Sequence, residues 1–263
     1  MTTATPFIPI LFEDNDIVVI DKPSGIVVNN AISAQGLTIQ EWAKKRYISH
    51  PLPEDVHVAD REKEEFYARS GVIHRLDKDT SGVLLLAKNP YSFAFCKTQF
   101  QNRVVKKEYV ALCYGIVKPT RGEISAPIER LPWNRTHFGV MPEGREARTT
   151  YHVSETFTRP NGAGFSLILI TPHTGRTHQI RVHLQYLKHP VVGDSLYGGK
   201  KRLRIDKAWC TRLMLHAYRL TIALPSTHEK KTFVSPLPEA ITAPIRLLAQ
   251  ESGATLPETL ILT

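Results

Sequence analysis

The first apolar positions of the chain fall into two short β-branched runs. Residues 17–20 read Ile-Val-Val-Ile and residues 26–28 read Ile-Val-Val, and Pro23-Ser24-Gly25 lies between them. Proline and glycine in consecutive polar positions are typical of a tight turn, and β-branched runs are typical of strands. The pattern therefore predicts two strands joined by a turn.

The next pattern has helical spacing. Thr38 and Glu41 form a capping-box pair, and Trp42, Ala43 and Tyr47 follow at helical intervals. This predicts a helix from Ile39 to about Ile48. Residues 49–69 are charged, contain two prolines and show little periodicity, so we expect a surface insertion there.

Residues 71–88 place a polar loop between two strand-like apolar runs. Asn89 and Pro90 then supply an N-cap and a first-turn proline for a helix. Further strands are predicted at 109–115, 165–171 and 215–224, and a helix at 177–187. Strands and helices do not alternate regularly, which favours an α+β fold. We expect one domain, residues 1–263, built on a large mixed, mostly antiparallel sheet flanked by helices.

Composition narrows the class of protein. Apolar residues make up 42% and charged residues 22% of the 263 residues, as in a globular domain, and no apolar run is long enough to predict a membrane span. The first residues resemble no secretory signal, so the expected location is the cytoplasm. Three widely spaced cysteines, Cys96, Cys113 and Cys210, suit neither a disulfide framework nor a zinc site, and we expect them reduced and buried.

Charge points to a polyanionic partner. The net charge is +9, and lysine and arginine gain affinity for phosphate chains by releasing condensed counterions. Between His173 and Arg219 there are ten cations and two anions, Asp194 and Asp206, a local excess of eight. Nearly all of the imbalance therefore lies in one stretch of the chain.

Asp77 is the first candidate for chemistry. It lies in a predicted turn between Arg75 and Lys78, whose charges favour an ionised carboxylate that could act as nucleophile or base. The plainer interpretation of a single loop aspartate is a turn-capping residue. The residues alone leave both open.

Two other clusters suit nucleic-acid binding. Residues 174–183 alternate cations and hydrogen-bonding side chains through the start of a predicted helix, where free N–H groups favour phosphate. Its histidines, at positions 173, 178 and 183, are five apart and so point to different faces, which disfavours a metal site. Lys106 and Lys107 precede Tyr109 at the head of a strand, where a tyrosine could stack on a base.

Taken in order, these motifs resemble the RluA-type family of RNA pseudouridine synthases. The resemblance spans residues 10–240, and its motifs are Lys22-Pro23-Ser24-Gly25, His74-Arg75-Leu76-Asp77, Thr80-Ser81-Gly82, Lys107-Glu108-Tyr109, Gly175-Arg176-Thr177-His178-Gln179-Ile180-Arg181-Val182-His183, Gly193-Asp194, Tyr197-Gly198, Leu215-His216-Ala217 and Ser235-Pro236-Leu237-Pro238. An ordered series of this kind is far more specific than any one of its members.

The resemblance implies isomerisation of a uridine in structured RNA, transfer or ribosomal, without metal or organic cofactor. It implies that Asp77 is the nucleophile, that Arg181 pairs with it, and that Tyr109 stacks on the target base. Arg75 would enter the RNA where the base has flipped out, and Ile180 would wall the pocket. The full set of residues expected to bind substrate is His74, Arg75, Thr80, Lys106, Lys107, Arg176, His178, Ile180, Lys200 and Lys201.

Several alternatives stay open at this point. Many relatives carry an S4 RNA-binding domain ahead of the catalytic part, and here we expect none, so that the insertion at 49–69 would help choose the RNA. No membrane or obligate protein partner is expected. The rival functions are a non-catalytic RNA-binding or RNA-folding protein, and a metal-dependent nuclease or deaminase. The carboxylate could attack C1′ of the ribose or act as base in a route through a glycal.

Overall fold

The structure is a computed structural model, and it describes residues 7–30, 36–48 and 58–256. Its strands are β1 (Ile10–Glu13), β2 (Ile17–Lys22), β3 (Ser81–Ala87), β4 (Lys106–Tyr114), β5 (Arg121–Ser125), β6 (Ile128–Leu131), β7 (Asn134–Val140), β8 (Arg148–Thr158), β9 (Gly164–Pro172), β10 (Leu215–Ala223) and β11 (Lys230–Val234). Its helices are α1 (Ile39–Ala43), α2 (Asp60–Arg69), α3 (Pro90–Gln101), α4 (Gln179–Tyr186), α5 (Lys200–Asp206) and α6 (Glu239–Ser252), with a π-helical turn at Lys44–Ile48.

The chain divides into two compact units. The first contains residues 1–106 and 219–235, and the second contains residues 107–218 and 236–263, so β10 contributes residues to both. An α+β fold built on mostly antiparallel sheet is confirmed. The prediction of a single domain stays a prediction. Among the described helices, none is both long enough and apolar enough to cross a membrane.

In the first unit the strands follow the order β1-β2-β3-β10, and β11 pairs with β10. Strands β1, β2 and β3 pair antiparallel, with Ile17 opposite Ala87 and Lys22 opposite Gly82. All seven residues of β3 are buried, which explains a run that is apolar on both faces. The predicted strand at 17–20 and the Asn89 cap of α3 are confirmed.

Two predictions for the first unit need correction. Residues 26–28 form no strand, because the carbonyls of Val27 and Val28 accept the N–H groups of Ile39 and Gln40 at 3.0 and 2.9 Å and so begin α1. The predicted surface insertion contains helix α2, whose Phe66 is fully buried against Phe93 with ring centroids 5.9 Å apart. The remainder of that insertion, residues 49–57, lies outside the described residues.

In the second unit the strands follow the order β10-β4-β9-β8-β5, and β6 and β7 form a separate hairpin. The pairings β4–β9, β9–β8 and β8–β5 are all antiparallel. The predicted strands at 109–115 and 165–171 and the helix at 177–187 are confirmed with small shifts of their ends. Val182 of α4 packs with Tyr197 and the hairpin residue Ile128, so α4 is seated on the hairpin side of its unit.

Candidate active site

The turn at residues 22–26 holds the loop that carries Asp77. Lys22 is fully buried, and its ammonium donates to the carbonyls of Pro23 at 2.8 Å, Ile26 at 2.9 Å and Lys78 at 3.0 Å. Three charge-assisted hydrogen bonds satisfy all three ammonium protons. The lysine therefore fixes the residue that follows Asp77.

The same turn holds the loop at two further points. The Gly25 N–H donates to the Lys78 carbonyl at 2.9 Å, and the Ser24 hydroxyl donates to the Asp79 carbonyl at 2.7 Å. Gly25 has φ of +88°, a conformation that side chains disfavour. The Lys-Pro-Ser-Gly motif thus acts through its backbone and its lysine to shape the Asp77 loop.

The other candidates of the Asp77 loop have different environments. His74 accepts the Leu85 N–H on Nε2 at 3.0 Å and stacks on Phe100 with centroids 4.6 Å apart. Arg75 is exposed and Thr80 is buried. His74 ties the loop to β3 and α3, while Arg75 is available to a large ligand; RNA contact by these residues stays a prediction.

In the second unit, Arg181 is held by Asp194. Its Nε donates to Oδ2 at 2.7 Å and its Nη2 to Oδ1 at 2.8 Å, and the two side chains are 5% and 0% exposed. Asp194 Oδ1 also accepts the N–H groups of Leu196 and Tyr197 at 2.9 and 3.0 Å. A bidentate pair of this kind fixes the plane of the guanidinium. Asp194 belongs to the Gly193-Asp194 motif without a predicted role, and its rarity, as one of two acids in a strongly basic stretch, was the available signal.

Tyr197 joins Arg181 to His178. The guanidinium carbon of Arg181 lies 5.1 Å from the centre of the Tyr197 ring, and the Tyr197 hydroxyl is 2.9 Å from Nδ1 of His178. That hydroxyl also accepts the Phe138 N–H at 3.0 Å. His178 precedes α4 with φ of +56°. The structure therefore brings together four residues of the recognised motifs, Arg181, Asp194, Tyr197 and His178.

Gln179 organises the loop before α4. Its Oε1 accepts the Thr174 hydroxyl at 2.6 Å and the Arg176 N–H at 3.0 Å. Its Nε2 donates to the Arg148 carbonyl at 3.0 Å and to the Thr149 hydroxyl at 2.9 Å. Arg176 itself donates from Nε to the Glu146 carbonyl at 2.9 Å. A buried amide with all these partners makes the loop rigid.

The three evenly spaced histidines have separate partners. His173 Nε2 is 3.0 Å from the Thr150 hydroxyl, whereas His183 contacts the Thr149 hydroxyl and the Ala126 carbonyl at 2.9 and 3.0 Å. Burial lowers the pKa of both histidines, which favours their neutral form. Within the described ranges, no three His, Cys, Asp or Glu side chains group as a metal site would require. All three cysteines are free and buried, as predicted.

The head of β4 carries the remaining candidates. Lys106 is exposed, while Lys107 and Tyr109 are half-buried. Lys107 donates to the Thr174 carbonyl over 3.4 Å, and burial lowers its pKa to about 8. Ile180 is buried, and Lys200 and Lys201 are exposed at the start of α5.

The catalytic candidates belong to different units. Asp77 lies in the first unit, and Tyr109 and Arg181 lie in the second. In the first unit, contacts from the 22–26 turn to backbone carbonyls hold the Asp77 loop. In the second unit, the buried carboxylate of Asp194 holds Arg181. The pairing of Asp77 with Arg181 stays a prediction.

Residues 16–186 match the sequence model of the RNA pseudouridylate synthase family, well over half of the chain and a range that includes Asp77, Tyr109 and Arg181. The chain belongs to this family. The predicted RluA-type resemblance is therefore confirmed, and so is the expectation of an isomerase enzyme.

Individual relatives agree. An RNA pseudouridine synthase of Chlorobaculum parvum is 40% identical over 88% of this chain and 71% of its own length. The ribosomal large subunit pseudouridine synthase D of Borreliella burgdorferi is 36% identical over 88% of this chain and 66% of its own. The solved structure of human RNA pseudouridylate synthase domain containing 1 is 26% identical, covering 97% of this chain and 98% of that one with a TM-score of 0.69. Fold and family thus agree.

Proposed function

We propose that this chain converts a uridine of structured transfer or ribosomal RNA to pseudouridine, with Asp77 as nucleophile. The observation that carries the proposal is the family match over residues 16–186, which spans Asp77, Tyr109 and Arg181. Asp77 follows buried Leu76 and precedes a residue whose carbonyl is held from the 22–26 turn. A carboxylate positioned in this way is suited to attack on a bound nucleoside.

The reaction needs no external donor. The bond from C1′ to N1 of uracil breaks, the base turns, and a bond from C1′ to C5 forms; C5 loses its proton and N1 gains one. Asp77 either attacks C1′ directly or removes a ribose proton on the way to a glycal, and both routes return a free carboxylate at the end. Either role requires an ionised aspartate in a site closed by the base, which is what an arginine partner supplies.

Arg181 is the proposed partner of Asp77. Its Nε and Nη2 bonds to Asp194 orient the guanidinium before substrate binds, so little reorganisation is needed when the base enters. Tyr109, half-buried in β4, is proposed to stack on the target base. Arg75, exposed in the aspartate loop, is proposed to fill the space from which the base departs, at an unstacking cost of a few kcal/mol.

The substrate class rests on charge and on relatives. The basic stretch from His173 to Arg219 suits an RNA backbone, with Lys200 and Lys201 exposed on α5 and Lys106 exposed on β4. One relative is named for the large ribosomal subunit. We propose ribosomal or transfer RNA as substrate and the cytoplasm as the site of action.

The test is tritium release from RNA labelled at uridine C5. Transfer RNA and ribosomal RNA are offered separately, in chelator, to wild type, Asp77→Asn and the control Asp60→Asn, whose carboxylate is on the exposed surface of α2. We expect release from one pool by wild type and by the control, and none by Asp77→Asn, which still binds RNA. Turnover by Asp77→Asn would remove Asp77 from the nucleophile role. Tight binding without release by wild type would favour a non-catalytic RNA-binding protein.

A further inference from the structure

The second unit contains an open pocket of about 530 Å³ beside α4. Its apolar floor is formed by Val140, Val182 and Pro190, of which the last two are buried. The volume lies within the range of roughly 300–1,000 Å³ found for small-molecule binding pockets. None of the three residues belongs to the proposed catalytic set.

One wall of the pocket is a face of α4. Val182, Gln185 and Tyr186 all line it, and their spacing of three and four places them on the same side of the helix. Tyr186 is the last residue of α4 and is 55% exposed. An exposed aromatic ring at the rim of an apolar floor is a surface on which a base can stack.

The pocket lining also carries positive charge. Lys188 and Arg202 line the pocket, and none of the lining residues in the described part of the chain is acidic. The guanidinium carbon of Arg202 lies 4.8 Å from the centre of the Tyr114 ring, a contact that limits its motion. A ligand with a flat base and a phosphate matches this distribution.

Helix α5 is anchored at its other end. Asp206, one turn after Arg202, is buried, accepts the hydroxyl of Tyr114 and accepts the Gly193 N–H at 3.2 Å. Gly193 directly precedes Asp194, which holds Arg181. Helix α5, which carries Arg202, is therefore tied to the segment that holds Arg181.

The pocket also shares a residue with the surroundings of Arg181. Tyr197 lines the pocket and lies under the Arg181 guanidinium. We propose that this pocket binds an unpaired nucleotide of the RNA substrate, other than the target uridine, with its base on Tyr186 and its phosphate at Lys188 and Arg202. The proposal rests on the proposed function in taking RNA as the substrate.

The test uses a short oligoadenylate, which contains no uridine and so reports on the pocket apart from the reaction. Its affinity is measured for wild type, Tyr186→Ala, the double variant Lys188→Gln with Arg202→Gln, and two controls. The controls are Tyr91→Ala, an exposed tyrosine of α3, and Lys230→Gln, an exposed lysine of β11.

We expect Tyr186→Ala to weaken binding about tenfold, within the range measured for loss of one base-stacking ring. The double variant should also weaken binding and reduce the slope of log affinity against log salt by about 1.4, as for two lost contacts to a single strand. Both controls should match wild type.

Equal oligoadenylate affinities for wild type and all variants would overturn the proposal that this pocket binds a nucleotide. A loss confined to the double variant would also overturn it, because phosphate contact alone needs no nucleotide site. Tritium release by wild type is scored separately. If wild type releases tritium but the variants bind oligoadenylate as wild type does, the proposed reaction is supported and the pocket is not. If wild type releases no tritium but Tyr186→Ala weakens oligoadenylate binding, the pocket is supported and the reaction is not.

Discussion

Two lysines, fully buried Lys22 in the first unit and half-buried Lys107 in the second, have different environments. Lys22 in the first unit donates to three backbone carbonyls within 3.0 Å. Lys107 in the second unit makes, within the described part of the chain, one hydrogen bond of 3.4 Å to the Thr174 carbonyl. This one long hydrogen bond only partly offsets the loss of hydration, and burial lowers the pKa of Lys107 to about 8.

The difference separates structural cations from those that await a ligand. An ammonium whose protons all have partners in its own chain contributes to the fold, whereas an under-satisfied one costs free energy that an incoming anion recovers. Arg181 lies between these two cases, since Asp194 accepts from two of its five N–H donors and the proposed pairing with Asp77 would use another. We therefore predict that Lys107 contacts an RNA phosphate.

The largest effect is expected from Asp194→Asn. The amide oxygen can still accept the Leu196 and Tyr197 N–H groups, but Arg181 loses its buried anion. Removing one partner of a buried pair costs about 3–5 kcal/mol, so the free energy of unfolding measured in urea should fall by that amount and isomerisation should be lost. The control is Glu123→Gln, whose pair with Arg148 is about half exposed and should change stability by less than about 1 kcal/mol.

Lys22→Met should come next. The side chain fits the same space but leaves the carbonyls of Pro23 and Ile26 without this donor and the Lys78 carbonyl with the Gly25 N–H alone, which we expect to lower the free energy of unfolding by about 3 kcal/mol. Lys107→Met is the matched variant. If the two changed stability equally, the comparison between the lysines would fail.

The smallest effect is expected for Lys107→Gln, on RNA affinity and on its dependence on pH. Lys107→Gln should weaken RNA binding about tenfold, for one charge-assisted contact. The wild-type ammonium is present below pH 8 and is lost above it, so wild-type affinity should fall between pH 7 and pH 9.5 while that of Lys107→Gln stays flatter. Among the neighbouring groups, which include Arg148 and Glu123, burial lowers the pKa of His173.

A second readout for Lys107 is stability against pH. The pKa of the folded state lies below the ordinary 10.5, so the unfolded chain binds more protons between about pH 8 and 10.5. The cost of burying the charge is fully present below pH 8 and is relieved as the pH rises through this window. In urea unfolding, the free energy of unfolding of wild type should therefore rise relative to that of Lys107→Gln as the pH rises. A difference between the two that does not change with pH would contradict the lowered pKa of Lys107.

Local patterns were enough for elements whose signals are adjacent in the chain. Thr38 and Glu41 form the predicted capping box, and Asn89 accepts the Ser92 N–H at 2.8 Å as the cap of α3. Helix α2 was missed because it is mostly charged and shows one buried residue, Phe66. Its stability comes from packing on Phe93, which periodicity does not record.

By itself, the sequence determined the family, the α+β class and the basic character of the segment from His173 to Arg219, because ordered motifs, apolar runs and charge are properties of neighbouring residues. Only the tertiary structure decided that Asp194 holds Arg181, that the Lys22 turn holds the Asp77 loop and that Tyr186 and Arg202 face one pocket. The residues of these three pairs lie 13, 56 and 16 positions apart in the chain. Their partners are selected by the path of the backbone and by the need to pair every buried charge, and no spacing rule encodes either.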